Sequence, residues 1–291
     1  MKRGRGVDFE HRFRASRWAE DLLFKFLAQD TGLVLVRFGL SEVKATDELD
    51  YDKAGHKEPD LIAIPRAKLS PAELRVLDTE GGDLSNCDRG RFSPAGDLAF
   101  VLNKALAAFE VEFSPYKAAE MKGRHWQPKT KEQWTKRQLK HANAPTAPNI
   151  WVKEEDLKRL TDWEEHFGVP VLVTHFFDQE AFAIPLHTLK LFAASLARNP
   201  ARAVELQNTR GIFRKEQAYD RIDSQGAGER KIVYVTAPTV ATKVGDITGV
   251  EVQASLGLSS SKKYVSQVCF RGGKLAITAE FLVLLQTLKG Q

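Results

Sequence analysis

Two short segments of this chain set carboxylates at the spacing that metal-assisted chemistry needs. One runs Glu58-Pro59-Asp60-Leu61-Ile62-Ala63-Ile64 and the other Ala108-Phe109-Glu110-Val111-Glu112-Phe113-Ser114. Side chains of an extended chain alternate faces, so Glu110 and Glu112 share one side while Phe109, Val111 and Phe113 share the other. With Asp60 on the neighbouring strand, three acidic groups converge on one point. Oxygen ligands of that kind suit Mg²⁺. A basic run from Lys117 to His141 follows at once, and a polyanion lying across the metal would be neutralised there. Clustered carboxylates beside a cationic surface point to phosphodiester chemistry. Phe-Glu-Val-Glu-Phe is also the alternation of any strand with one wet face, so the pattern needs its surroundings to carry the reading.

Those surroundings begin with a helix expected over residues 16–29. Trp18, Leu22, Leu23, Phe26 and Leu27 recur at helical spacing, Ser16 can cap the start and Gly32 closes the end. Residues 33–38 read as a strand, 47–57 as a charged loop and 60–64 as the strand opened by Pro59-Asp60. A short helix over 70–78, with Pro71 in its first turn, precedes a Gly-, Asp- and Ser-rich irregular stretch over 79–97. An alanine-faced helix is expected over 98–107 and the acidic strand over 109–113. Within the basic segment, 115–122 and 131–141 read as helical, and Pro145 and Pro148 end it. Residues 153–167 form an amphipathic helix on Leu157, Leu160, Trp163 and Phe167, stopped by Gly168. Apolar strands at 169–174 and 182–186 follow. A helix between apolar strands implies a crossover and a mixed sheet with parallel pairs.

From about residue 200 the texture changes. Short β-branched runs at 231–236, 249–254, 263–270 and 274–278 alternate with Gly and Ser turns, and residues 281–288 form a last amphipathic helix. The expected fold class is α/β (α+β): a mixed central sheet flanked by helices, with an antiparallel β-rich C-terminal region. The expected division is residues 1–199 as the core and 200–291 as the β-rich part, either a recognition unit or an extension of the same sheet.

Composition narrows the class. The chain has 291 residues, 43% of them hydrophobic, which suffices for a packed core. The net charge of +5 is modest but unevenly placed: six Lys/Arg against two acids over 1–19, and eight against two over 115–143. Cys87 and Cys269 lack the spacing of a zinc site. No stretch reaches the roughly 18 apolar residues of a membrane span, and no apolar signal core follows the basic start. The expectation is a soluble, cytoplasmic protein with no membrane partner. Residues 257–263, Gly-Leu-Ser-Ser-Ser-Lys-Lys, lack phosphate-loop spacing and read as a polar hairpin. The seven histidines are scattered. His175, after an apolar strand, reads as a satisfied core residue.

The order of these residues resembles the PD-(D/E)xK nuclease superfamily as found in type II restriction endonucleases. A helical Glu20, then Pro59-Asp60, then Glu110-Val111-Glu112 follow its pattern over about residues 16–190. The departure is Glu112, which stands where the family usually has Lys. Some restriction enzymes are similar in carrying Glu there. The resemblance implies a fold of the restriction-endonuclease kind and Mg²⁺-dependent cleavage of double-stranded DNA to 5′-phosphate ends. It also implies a homodimer matched to a symmetric site, and a cognate DNA methyltransferase as a genetic rather than physical partner. Asp60, Glu110 and the Val111 carbonyl would hold one or two metals. Glu112 would bind or deprotonate water, and Glu20 would orient water from outside. Without Lys at position 112, positive charge must come from a second metal, or from Lys117 or Lys122.

DNA contacts are expected from Lys122, Arg124, Lys129, Lys131, Lys136, Arg137 and Lys140, interleaved with Tyr116, Trp126 and Trp134. Arg210, Arg214, Lys262 and Lys263 are the candidates for further contacts. Two other readings stand beside a restriction enzyme. One is a DNA-binding protein on a nuclease-like core without catalysis. The other is a repair or junction-resolving nuclease.

Overall fold

A computed structural model describes residues 7–39, 57–114, 148–198, 212–220, 227–258 and 264–288. The chain is a mixed α/β protein. Strands β1 (Leu33–Arg37), β2 (Leu61–Pro65), β3 (Ala107–Phe113), β5 (Val171–Phe176), β6 (Glu180–Pro185), β9 (Thr242–Leu258) and β10 (Tyr264–Ile277) form one sheet in the order β1-β2-β3-β5-β6-β9-β10. Strands β4 (Asn149–Lys153), β7 (Ile212–Asp220) and β8 (Ala227–Thr236) form a second, antiparallel sheet in the order β4-β8-β7. In the large sheet β3 and β5 run parallel, and every other pairing is antiparallel. The parallel pair is joined through β4 and a helix, as a crossover requires.

Helix α1 (Val7–Asp30) covers one face of the large sheet. Its Trp18, Leu22, Leu23 and Leu27 are buried with Leu61, Phe109, Leu172 and Phe176. Trp18 also reaches the far edge: its ring lies 4.9 Å from Phe270, and its indole N–H donates to the Gly272 carbonyl at 2.8 Å. The C-terminal helix Ala279–Leu288 joins the same layer, with Phe281 against Phe109. Strands β9 and β10 and that helix therefore extend the sheet and the core that carry the acidic strand.

The other face is covered by the small sheet and two helices. Ile150, Val152, Val233 and Val235 pack on Val173 and Ile184, beside Leu157, Leu160 and Trp163 of helix Glu154–Phe167 and Leu186 and Leu189 of helix Leu186–Arg198. Each large side chain buried here contributes about 1.5–3 kcal/mol. Numbered with the short helices Pro71–Thr79 (α2) and Ala99–Asn103 (α3), these two are α4 and α5. Among the described residues, no helix is long and apolar enough to cross a membrane.

Several elements differ from their sequence-based expectation. The helix expected over 98–107 ends at Asn103, and Ala107 and Ala108 belong to β3. Alanine fits either state, and pairing with β2 and β5 decides. The runs 263–270 and 274–278 are one strand, β10, passing through Gly272-Gly273. β9 and β10 pair from Leu258 and Tyr264 onward, and residues 259–263 of the expected hairpin lie outside the described residues. Strands β4 and β7 and helix α5 carry no expectation. The helices expected over 115–122 and 131–141 lie outside the described residues.

Helix α4 stops at Gly168, whose φ of 66° is left-handed and whose N–H donates to the Glu164 carbonyl at 2.9 Å. That stop turns the chain into β5, beside β3. Gly168→Ala meets no steric contact, yet a Cβ in this backbone region costs on the order of 1 kcal/mol. Equilibrium urea unfolding should show that loss as a lower midpoint with an unchanged slope.

Candidate active site

The site forms where the β2–β3 ladder runs out. Leu61 pairs with Phe109, and the Asp60 N–H still donates to the Phe109 carbonyl at 2.8 Å. One peptide further on, β2 supplies no backbone acceptor. The Asp60 carboxylate takes that place: its Oδ2 accepts from the Val111 N–H at 2.7 Å. A residue in a strand sends its N–H and C=O to the same side. The Val111 carbonyl therefore faces the edge where Asp60 sits.

The other end of Asp60 is also fixed. The Phe38 N–H donates to the Asp60 carbonyl at 2.9 Å. Gly39 comes so near that an added Cβ would stand 2.8 Å from the Pro59 carbonyl oxygen. Glu58 is gripped by Arg89, Nε to Oε1 at 2.8 Å and Nη2 to Oε2 at 2.5 Å. The same guanidinium donates to the Phe38 carbonyl at 2.8 Å and lies 4.8 Å from the Phe38 ring. Such a two-point pair holds geometry better than a single contact.

On β3, Glu110 is opposite Val173 and Glu112 opposite His175 in the parallel register. Both carboxylates thus lie on the face shared with the small sheet and α4. Glu110 is only 3% exposed. Its Oε1 meets the Lys57 ammonium, while its Oε2 is buried without a hydrogen-bond partner. The same Nζ is 3.6 Å from Asp156 Oδ2 and 3.9 Å from Glu112 Oε1. Asp156, in the first turn of α4, is also 3.1 Å from the Lys153 ammonium. One cation therefore sits among three carboxylates.

The electrostatics follow from burial. Desolvation and the surrounding charges push Glu110 up to about 7, although Lys57 pulls it down. Burial, the charge of Glu110 and then that of Glu20 push Asp60 well above the ordinary carboxylate range, against the Val111 N–H. Burial works against the charge on Lys57, but Glu110, Asp156 and Glu112 outweigh it and hold its pKa well above normal. Burial likewise opposes the charge on Asp156, and Lys57 and Lys153 outweigh it, so its pKa is lowered. An acid stripped of water and surrounded by other acids gains from any further cation.

Glu20 stands on the α1 side of the sheet. It pairs with Arg37 at 2.9 Å and Arg17 at 3.5 Å, and its field reaches Asp60. Lys117, Lys122, Arg124, Lys129, Lys131, Lys136, Arg137, Lys140, Arg210, Lys262 and Lys263 lie outside the described residues. Arg214 is on β7, opposite Val233 of β8. Sequence reasoning missed Lys57 and Asp156. Lys57 stands three residues before Asp60, inside what reads as a charged loop, and Asp156 belongs to an acidic run that any helix start can show. Neither spacing announces a site.

His175 departs from its expected role as a satisfied core residue. It is fully buried, but neither ring nitrogen has a partner. Its ring stacks on Phe177 at 5.0 Å and meets the Trp151 edge at 6.0 Å. Burial lowers its pKa to about 3, so it stays neutral.

Compared with protein-family models, with curated proteins and with solved structures, the chain finds no match. Among the described residues, no three Asp, Glu, His or Cys side chains form a ready ligand set for a metal. What the strand edge offers is two carboxylates and a main-chain carbonyl. These are hard oxygen donors, and the unpartnered Glu110 Oε2 lacks the neighbour that a divalent cation would supply.

Two outcomes follow. Gly39→Ala should force the Pro59 peptide to move and lower stability by about 1–3 kcal/mol, read by denaturant unfolding. His175→Leu should change the pH response in one direction. Above the ordinary histidine value of 6.5 the ring is neutral in both states. Below it the unfolded chain gains a proton that the folded chain refuses down to about 3. The variant should therefore gain on the parent by up to about 1.4 kcal/mol per pH unit as pH falls through that window. Paired urea titrations at neutral pH and at pH 5 would measure it.

Proposed function

We propose that this protein is a Mg²⁺-dependent type II restriction endonuclease. It hydrolyses phosphodiester bonds of double-stranded DNA at a specific sequence, leaves 5′-phosphates, and works in the cytoplasm as a homodimer matched to a symmetric site. The observation that carries the reading is the pairing of Asp60 with the Glu110–Val111 peptide beside a buried, half-partnered Glu110. The order of Pro59-Asp60 and Glu110-Val111-Glu112, and the basic stretch 115–143 just downstream, support it.

Asp60, Glu110 and the Val111 carbonyl would hold Mg²⁺. When bound, the ion supplies polarisation of a phosphate oxygen and acidification of a water. Glu112 is the less buried of the two β3 acids, at 28% side-chain exposure against 5%. That suits it to receive a proton from the attacking water. The β3 edge fixes both acids through the ladder, so their separation does not depend on loop motion. Basic side chains in 115–143 would bind phosphates without regard to sequence. Recognition would draw on the β-rich part of the chain beyond residue 200.

A second reading has one observation in its favour. Lys57 already offsets part of the acidic charge, as it would in a DNA-binding protein that never takes up metal. Incubation with phage DNA separates the two. A restriction enzyme gives discrete fragments with Mg²⁺ and none with chelator. Asp60→Ala and Glu110→Ala should each lower cutting by about a hundredfold or more while retaining DNA binding in a gel-shift assay. Normal cutting by either variant would remove the proposed site.

A further inference from the structure

The two-residue step from Glu110 leads to an acid, Glu112, and no cation stands on β3 near the carboxylates. The structure brings one from elsewhere. We propose that Lys57 supplies the positive charge that faces the reacting phosphate, in place of a lysine on β3 and of Lys117 or Lys122. The proposal rests on the nuclease reading above and adds a residue to it.

Three observations support it. First, the Lys57 ammonium contacts Glu110 Oε1 and lies 3.9 Å from Glu112 Oε1. A head group on the side chain at position 112 would occupy that same neighbourhood. Second, the oxygens of Glu110 are divided. Oε1 belongs to Lys57, and Oε2 is left without a partner on a carboxylate almost wholly buried. A metal at Oε2 and an ammonium at Oε1 do not compete for one lone pair. Third, the backbone that carries Lys57 is fixed on its C-terminal side. Arg89 grips Glu58 through two bonds, and Asp60 is bonded at both its peptide and its carboxylate. Asp156, 3.6 Å away, draws the ammonium toward the N-terminal turn of α4.

The reaction needs no proton from Lys57. Water gives one proton to Glu112, and its oxygen bonds to phosphorus. The bond to the 3′ oxygen breaks, that oxygen takes a proton from solvent, and the phosphate stays on the 5′ side. Lys57 stabilises the extra negative charge on the phosphate oxygens while the two bonds exchange.

A plain charge-balancing role for Lys57 predicts different behaviour, so the test separates the two. The full-length protein is compared with Lys57→Met and Lys57→Ala for cleavage of phage DNA at saturating Mg²⁺. Mg²⁺ affinity is measured by calorimetry, and folding by thermal denaturation. The expected result is cleavage about a hundredfold slower, with Mg²⁺ bound at least as tightly as by the parent. Added methylammonium should restore part of the rate of Lys57→Ala in a saturable way. The proposal is overturned if a folded variant cleaves within about threefold of the parent. It is also overturned if Mg²⁺ binding falls in proportion to the rate, or if methylammonium has no effect. A parent protein that binds DNA yet never cuts it with Mg²⁺ would instead remove the nuclease reading itself, and this proposal with it.

Discussion

The arrangement depends on one constraint: a carboxylate, Glu110, buried in the middle of a sheet. An isolated charge there is costly, and the chain answers with a cation. Lys57 touches one oxygen of Glu110, and the other is left bare. Everything nearby serves that balance. Asp60 takes over the ladder where β2 ends, Arg89 grips the Glu58 carboxylate between Lys57 and Asp60, and α4 presents Asp156 to the same ammonium.

A protein selected for stability alone would gain by filling such a position with an apolar side chain. The neighbouring positions show what that would look like: Ala108, Val173 and Ile184 close the same layer without polar atoms. Four acids and two lysines gather at this strand end instead. His175 sets the dry side of this region. It is neutral, stacked on Phe177 and edge-on to Trp151, and opposite Glu112 in the β3–β5 register.

Local signals were strong where one face of an element is apolar. Trp18, Leu22, Leu23 and Leu27 mark α1, and Leu157, Leu160 and Trp163 mark α4, with Gly168 ending it as its left-handed backbone requires. The acidic alternation on β3 was equally clear. Signals failed where residues are neutral between states or elements are short. Ala107 reads as the end of a helix and forms strand, because the pairing partners are distant in sequence. The five residues of β4 carry too little pattern to be seen without β8 beside them. Leu186, Leu189, Phe192 and Ala193 recur at helical spacing on α5, but Leu186 also closes the expected strand 182–186 and the residues beyond it carry no expectation.

By itself the sequence determined which residue types were present and which faces they would take: Glu110 and Glu112 together, and Asp60 at the mouth of an apolar strand. That follows from the two-residue period of an extended chain, a property of the backbone alone. Only the tertiary structure decided which cation meets them. Lys57 and Asp156 stand 99 positions apart in the chain, and no local rule relates them. Their meeting is set by where β2 ends, where α4 begins and how the two layers close on the sheet.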